Sequence, residues 1–145
     1  MPERETIERA REDAREGKSP STQAGEFVRE EIHHIREGKH GAQSPRQAIA
    51  IGLSKARRAG VKLKPPEGAA SIRKKAQQDS KAGQKSRRKT SSKRSPAVSG
   101  ALKRESRKSA SRDGLSRQGM RSAAARGKRA RSAAARKAAN TRKVA

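Results

Sequence analysis

The chain has 145 residues, of which 39 are lysine or arginine and 14 are aspartate or glutamate, so its formal net charge at pH 7 is +25. Apolar residues make up 29% of it, well below the ~45–50% of an ordinary globular domain, so we expect part of the chain to be disordered when alone. It has no cysteine, which excludes disulfides, thiolate-bound zinc and thiol catalysis. It has neither a signal-peptide core nor a run of ~20 apolar residues, so we expect a cytoplasmic protein.

The first predicted element is a helix over residues 3–16, in which acids and bases alternate at helical spacings. Glu5 and Arg9 are oppositely charged i,i+4 neighbours, a pair that stabilises a helix. Gly17 would end this helix. A thin apolar stripe runs along it: Ile7, Ala10 and Ala14.

A better-marked second helix lies between Ser19 and Gly38. Ser19-Pro20 fits an N-cap followed by proline at the first helical position, and Gly38 supplies the stop. The apolar residues between them recur at i, i+3, i+4, i+8 and i+11, which is one face of a 3.6-residue period. They are Ala24, Phe27, Val28, Ile32 and Ile35.

The third helix has the strongest signals of the three. Ser44-Pro45 repeats the N-cap and the first-turn proline, and Gln47 stands where a capping box needs it. Gly60 followed by Val61 matches a glycine C-cap with an apolar partner. A broad apolar arc lies between these ends: Ala48, Ile49, Ile51, Leu53, Ala56 and Ala59.

The composition changes near Pro65-Pro66. Residues 1–65 hold fourteen bases and ten acids, a balance of +4, whereas residues 66–145 hold twenty-five bases and four acids, a balance of +21. The second stretch has few large apolar residues and no sustained period. We therefore predict a mostly α protein with a small helical head of two or three short helices over residues 1–65 and a long, intrinsically disordered basic tail over residues 66–145.

The core of this head is expected to be small, and a domain of ~60 residues is marginally stable. We expect modest stability, helped by weak homo-oligomerisation through the head. The expected core residues are Phe27, Val28, Ile32, Ile35, Ile49, Ile51 and Leu53, with Val61 and Leu63 at its edge.

A repeat marks the end of the tail. The hexamer Arg-Ser-Ala-Ala-Ala-Arg occurs at residues 121–126 and again at residues 131–136. Alanine favours a helix, but repulsion among the surrounding cations opposes it. We therefore expect transient helix in the isolated tail, and we hypothesise that the repeats fold when phosphates neutralise these cations.

Three stretches of the head occur in a characteristic order. They are Ser-Thr-Gln-Ala-Gly-Glu-Phe-Val-Arg-Glu-Glu at residues 21–31, Gly-Lys-His-Gly at residues 38–41, and residues 46–61, which contain Gln-Ala-Ile-Ala-Ile-Gly-Leu-Ser. Together they resemble a family of small, basic bacterial proteins that carry the domain of unknown function numbered 6496. The resemblance covers residues 1–65 and implies a bacterial, cytoplasmic protein but no reaction. In composition, the tail resembles those of histone H1-like nucleoid proteins.

A tail of this charge is suited to nucleic-acid phosphates, because its cations displace condensed counterions without reading a base. We predict a non-enzymatic, largely sequence-independent nucleic-acid-binding protein of the nucleoid-associated, DNA-compacting kind. The alternatives left open are a ribosome- or RNA-associated protein and a protein-interaction module. The predicted binding residues are bases of the third helix, of the segment after it and of the tail: Lys55, Arg57, Arg58, Lys62, Lys64, Arg73, Lys74, Lys75, Arg87, Arg88, Lys89, Lys93, Arg94, Lys103, Arg104, Arg107, Lys108, Arg121, Arg126, Lys128, Arg129, Arg131, Arg136, Lys137, Arg142 and Lys143.

Duplex DNA is the favoured ligand, with structured RNA second. Readers of single strands stack bases on aromatic rings, and the one aromatic residue, Phe27, lies on the apolar face of a helix and is expected in the core. A helix-turn-helix is less favoured, because the connection from Gly38 to Ser44 is longer than the usual 3–4-residue turn. A basic edge on the third helix that helps the tail to hold phosphate is preferred.

Other chemistry has little support in the sequence. The chain has no Gly-rich phosphate loop, nucleophile elbow or paired acids in an apolar setting, so we expect neither catalysis nor a cofactor. His33 and His34 point about 100° apart on a helix, and His40 lies beyond Gly38. We expect exposed histidines and no metal, although Glu30 and Glu37 flank them and leave a loose site conceivable.

Overall fold

The structure, a computed structural model, describes residues 2–85 and 91–144, with the backbone alone at Thr141 and Val144. Within these residues it is all-helical, and no helix is long and apolar enough to cross a membrane. The chain divides between Ala110 and Ser111 into two compact units. The elements are α1 (Arg4–Arg15), α2 (Pro20–Arg36), α3 (Pro45–Arg58), α4 (Ala70–Gln84), α5 (Arg94–Arg104), a 3₁₀ helix (Arg107–Ala110), α6 (Arg112–Ala125) and α7 (Gly127–Val144).

The predicted disorder of residues 66–145 is wrong, because α4 to α7 and the 3₁₀ helix all lie in this stretch. Both hexamer repeats are already helical without nucleic acid. The first forms the end of α6 and its C-cap, and the second lies inside α7. The helix propensity of alanine and arginine therefore outweighs the repulsion among the cations. The prediction of a mostly α chain and the three helices predicted for the head are confirmed.

The first three helices end in the same way. Gly17, Gly38 and Gly60 follow the respective C-caps with positive φ angles of 72°, 81° and 100°. In each case the amide of the next residue donates to a carbonyl five residues back; for α3, Val61 N donates to Ala56 O at 3.1 Å. This is a Schellman motif, and its left-handed residue favours glycine.

The predicted N-caps of α2 and α3 are also present. Ser19 Oγ accepts a hydrogen bond from Thr22 N at 3.4 Å, and Ser44 Oγ accepts one from Gln47 N at 3.2 Å. The Gln47 side chain accepts from the amide of Gln43, one residue before the expected partner. Local capping chemistry thus sets both ends of these helices.

The core of the first unit consists of two small clusters that are rich in alanine. Phe27 and Ile35 are fully buried, as predicted, while Val28, Ile32, Ile49, Ile51, Leu53, Val61 and Leu63 are only half-buried. The first cluster is Ala10, Ala24, Phe27 and Ala56, and the second is Ile35, Ala42, Ala48 and Ala110. Small residues let the helices approach closely: a Cβ on Gly52 of α3 would lie 2.7 Å from Val28 Cα of α2.

α4 packs on α3 through a buried polar contact. Asp79 is 3% exposed, and its carboxylate accepts hydrogen bonds from Ser54 Oγ at 2.6 Å, Arg58 Nε at 2.9 Å and Lys75 Nζ at 2.7 Å. Gly83 lies against the last carbonyls of α3, where a Cβ would be 2.5 Å from the carbonyl oxygen of Arg57. The buried contacts of Asp79 and the close approach at Gly83 together explain why α4 is ordered although it buries little apolar surface.

We predict an acid-sensitive contribution from Asp79. Burial raises the pKa of this carboxyl, but hydrogen bonds from Lys75, Ser54 and Arg58 outweigh burial and leave it below the ordinary value of 3.8. A depressed folded pKa stabilises the fold above the unfolded pKa, and this stabilisation is lost as pH falls through the folded pKa. The urea concentration at the unfolding midpoint should therefore decrease when the pH is lowered below about 4. Asp79→Asn should make this midpoint less dependent on pH. The exposed-acid control Asp113→Asn should retain the dependence, and identical profiles for Asp79→Asn and the unaltered chain would contradict the prediction.

Residues 102–110 close the second core cluster. Gly41 N donates to Leu102 O at 2.8 Å, and Arg36 Nε donates to Ala110 O at 2.9 Å. A Cβ on Gly41 would collide with the carbonyl group of Glu105, so the loop between α2 and α3 needs glycine at this point. Part of the predicted tail therefore belongs to the core of the head.

Candidate nucleic-acid interface

Among the described helices, α7 carries the most positive charge. This helix carries seven cations and no acid, and every one of these cations is exposed. Arg129, Arg136 and Lys143 are spaced seven residues apart, so they form one row along the helix with a rise of about 10.5 Å between neighbours. A second row, roughly 110° around the helix axis from the first, contains Lys128, Arg131 and Arg142.

Alanine and glycine explain how α7 presents these cations. Six alanines separate the basic residues and supply helix propensity without bulky side chains to cover them. Gly127 has a φ of 72° and follows the C-cap Arg126, so it turns the chain between α6 and α7. Arg142 and Lys143 lie in the last turn, where cations suit the helix dipole.

α6 begins at a serine N-cap, although no helix was predicted at this point of the chain. Ser111 Oγ accepts a hydrogen bond from Gly114 N at 3.1 Å, and Asp113 places an acid in the first turn. Two exposed bases of α6 are not among the predicted binding residues: Arg112 and Arg117. The predicted Arg121 and Arg126 are exposed as well. Residues 111–145 thus hold eleven bases against one acid, a net charge of +10.

Further predicted cations are exposed on the first unit. Lys62 and Lys64 lie on the segment after α3, and Arg73 and Lys74 lie on α4. Arg87, Arg88 and Lys89 fall outside the described residues. The other predicted cations that are exposed on this unit lie in α5, at its N-cap or in the 3₁₀ helix: Lys93, Arg94, Lys103, Arg104, Arg107 and Lys108.

The structure places the predicted basic edge of α3 largely inside the fold. Lys55 Nζ lies 2.6 Å from Glu31 Oε2 and 3.5 Å from Glu30 Oε1, and its side chain is 20% exposed. Arg57 is buried. Arg58 and Lys75 reach solvent, but their charged ends contact Asp79. These four residues serve the packing of α2, α3 and α4, which disfavours a helix-turn-helix that reads DNA through α3.

Charge also separates α1 and α2 from the rest of the chain. All ten acids of the predicted head lie within residues 3–37, against seven bases, a balance of −3. The lysines in and next to this segment are paired with acids: hydrogen bonds that Lys18 donates to Glu16 and Asp13 raise its pKa. Hydrogen bonding to Glu37 likewise raises the pKa of Lys39. This surface is poorly suited to phosphate.

The histidines differ from the expectation of an exposed helix surface. His33 is exposed, but His34 is buried and His40 is half-buried. His34 and His40 approach each other edge to face, with their ring centroids 6.4 Å apart. The loop that follows Gly38 folds back and brings them together, which spacing along the sequence did not indicate.

Comparison with known proteins found no relative of this chain. No protein-family model matches the chain, and no curated protein or solved structure is detectably similar to it. The resemblance of residues 1–65 to the bacterial family therefore stays a prediction.

Proposed function

We propose that the chain is a non-enzymatic, largely sequence-independent nucleic-acid-binding protein that acts at the bacterial nucleoid. The observation that carries this proposal is the charge of residues 111–145, with eleven bases, one acid and all seven α7 cations exposed. Cations held on a surface in this number displace the condensed counterions of a nucleic-acid backbone, and that release supplies most of the affinity of non-specific binding.

The shape of α7 suits duplex DNA. An α-helix with its side chains is about 10–12 Å wide, and the major groove is ~12 Å wide with phosphates on both walls. The two cation rows of α7 point to different sides of its axis, so each row faces one wall when the helix lies in the groove. Its 18 residues extend over about 27 Å, which is long enough to follow several phosphates.

Two features favour a duplex over a single strand and phosphate contacts over base readout. Phe27 is 1% exposed, so the chain's one aromatic ring offers no platform for stacking bases. The described side chains of α7 are almost all alanine, lysine and arginine, with Asn140 as the one amide. Amide side chains are typical readers of adenine, whereas lysine and arginine contact any phosphate.

A salt titration of the full chain tests this proposal. Affinity for a mixed-sequence duplex should fall linearly with the logarithm of salt concentration, with a slope near −6 if the seven cations of α7 each contact one phosphate. Different duplex sequences should give similar affinities. A slope near zero would contradict the proposal, and tighter binding to a structured RNA would favour the ribosome-associated alternative. Partners that survive nuclease treatment in a pull-down would favour a protein-interaction module.

A further inference from the structure

Three side chains of the kinds that can bind a metal lie together where α2 ends and the following loop folds back, away from the cation rows of α7 in the sequence. Glu31, His34 and His40 each offer one ligand atom, and these atoms lie within 4.8 Å of one another. Glu31 and His34 are buried and His40 is half-buried. Glu31 and His34 share a helix face because they are three residues apart.

When the two histidines are neutral, their hydrogen bonds leave a lone pair on one nitrogen of each ring. His40 Nδ1 lies 3.1 Å from the carbonyl oxygen of Gly41, and His34 Nε2 lies 2.9 Å from Glu3 Oε1. Because these oxygens accept, Nδ1 of His40 and Nε2 of His34 are the nitrogens that donate. An outer oxygen that holds the N–H of a histidine is typical of metal-binding histidines, since it fixes the ring and its tautomer.

The nitrogens that carry these lone pairs face the carboxylates of Glu31 and Glu30. His40 Nε2 lies 3.3 Å from Glu31 Oε1, and His34 Nδ1 lies 3.9 Å from Glu30 Oε1. In a neutral histidine with the tautomer given above, each contact brings a nitrogen lone pair towards a carboxylate oxygen. A cation placed among these atoms removes that repulsion.

The buried charges near the cluster also favour a bound cation, because acids outnumber bases there. The side chains of Glu30 and Glu31 are 2% and 1% exposed, and Lys55 contacts both of them. One ammonium thus faces two buried carboxylates. Lys55 Nζ lies 2.6 Å from Glu31 Oε2, yet Glu31 Oε2 and Glu30 Oε1 are buried without a hydrogen-bond partner among the described residues. Buried charge of this kind requires a partner.

We propose that Glu31, His34 and His40 bind one divalent transition-metal ion of the Zn²⁺ class. Two imidazoles and one carboxylate are a donor set that Zn²⁺ accepts, with water at the fourth position. Lys55 contacts Oε2 of Glu31 and leaves Oε1 to the metal. The ion joins α2 to the loop that carries His40, so metal binding should stabilise the first unit.

Zn²⁺ titration of the full chain against a chromogenic chelator tests the site. The unaltered chain should bind one Zn²⁺ per chain, and its thermal midpoint should rise with Zn²⁺. His40→Ala should weaken Zn²⁺ binding by more than about 10²-fold, beyond the 10–100-fold expected for loss of an outer partner, and should abolish the thermal shift. Glu3→Gln, which alters the outer partner of His34, should weaken it by about 10–100-fold.

His33→Ala is the matched control, because His33 neighbours His34 on α2 but is exposed and pairs with Glu37. It should bind Zn²⁺ as the unaltered chain does. The far-UV spectrum of each variant establishes that the helices persist, and Co²⁺ bound to a folded chain should give visible absorption that His40→Ala loses. The proposal is overturned if the unaltered chain binds no Zn²⁺, or if His33→Ala and His40→Ala weaken binding equally.

Discussion

Phe27→Ala should destabilise the first unit by about 3–5 kcal/mol, the usual cost of removing a buried phenyl ring. Phe27 is 1% exposed, and the buried residues clustered with it are Ala10, Ala24 and Ala56. Alanine side chains are too short to move into the space that the ring leaves, and the larger residues packed against the cluster lie at its partly exposed edge: Ile7, Leu53, Val61 and Leu63. Because a domain has only ~5–15 kcal/mol of stability in total, this one change should leave a substantial fraction of chains unfolded.

The measurement is the urea midpoint of far-UV ellipticity for the full chain. Ile72→Ala is the control, because Ile72 is 56% exposed on α4 and a surface change of this kind should stay within about 0.5 kcal/mol. Equal losses for the two variants would mean that Phe27 does not hold the core together. A helical signal that persists in Phe27→Ala at low urea is expected from α6 and α7, which belong to the second unit.

The helices of the head were predictable because local chemistry sets their ends. Serine and proline begin α2 and α3, and Gly17, Gly38 and Gly60 end the first three helices, each with a positive φ. These signals act within a few residues of the chain. The large apolar residues also follow a clear 3.6-residue period in α2, so its buried face was identified correctly.

The order of residues 66–85 and 91–110 was not predictable by the same reasoning. Large apolar residues are few there, and the contacts that hold this stretch are polar or involve small residues. Asp79 reaches Ser54 and Arg58 on α3, Gly83 lies against the end of α3, and Ala110 fills a gap in the second cluster. Partners more than twenty residues apart give no periodic signal, so composition alone suggested disorder.

The candidate interface was predictable in part. Counting charges located the seven cations of α7 and, at the end of α6, Arg121 and Arg126, but the prediction did not include Arg112 and Arg117. Counting could not separate these exposed cations from Lys55 and Arg57, which the fold turns inward. Whether a base of α3 faces solvent depends on Glu30 and Glu31 of α2, and only the tertiary packing of the two helices brings these acids beside Lys55. The cluster of His34 and His40 was missed for the same reason.

Replacing the first cation row of α7 by glutamine should weaken nucleic-acid binding far more than removing the same charge from α1. The variant carries Arg129→Gln, Arg136→Gln and Lys143→Gln, and glutamine retains helix propensity close to that of lysine and arginine. Loss of three phosphate contacts should reduce the salt slope by about 2.7 and weaken duplex binding by roughly 10²–10³-fold at about 0.1 M salt. Titration of a labelled duplex at several salt concentrations measures both quantities.

The matched control removes the same charge from a different surface. Arg4, Arg11 and Arg15 are exposed on α1, in the segment whose acids outnumber its bases, and their replacement by glutamine lowers the net charge by the same three units. If binding depends on cations held along α7, this control should keep nearly the full salt slope, because α1 contacts few phosphates. Equal losses in the two variants would mean that affinity follows net charge alone, and the assignment of the interface to α7 would then be wrong.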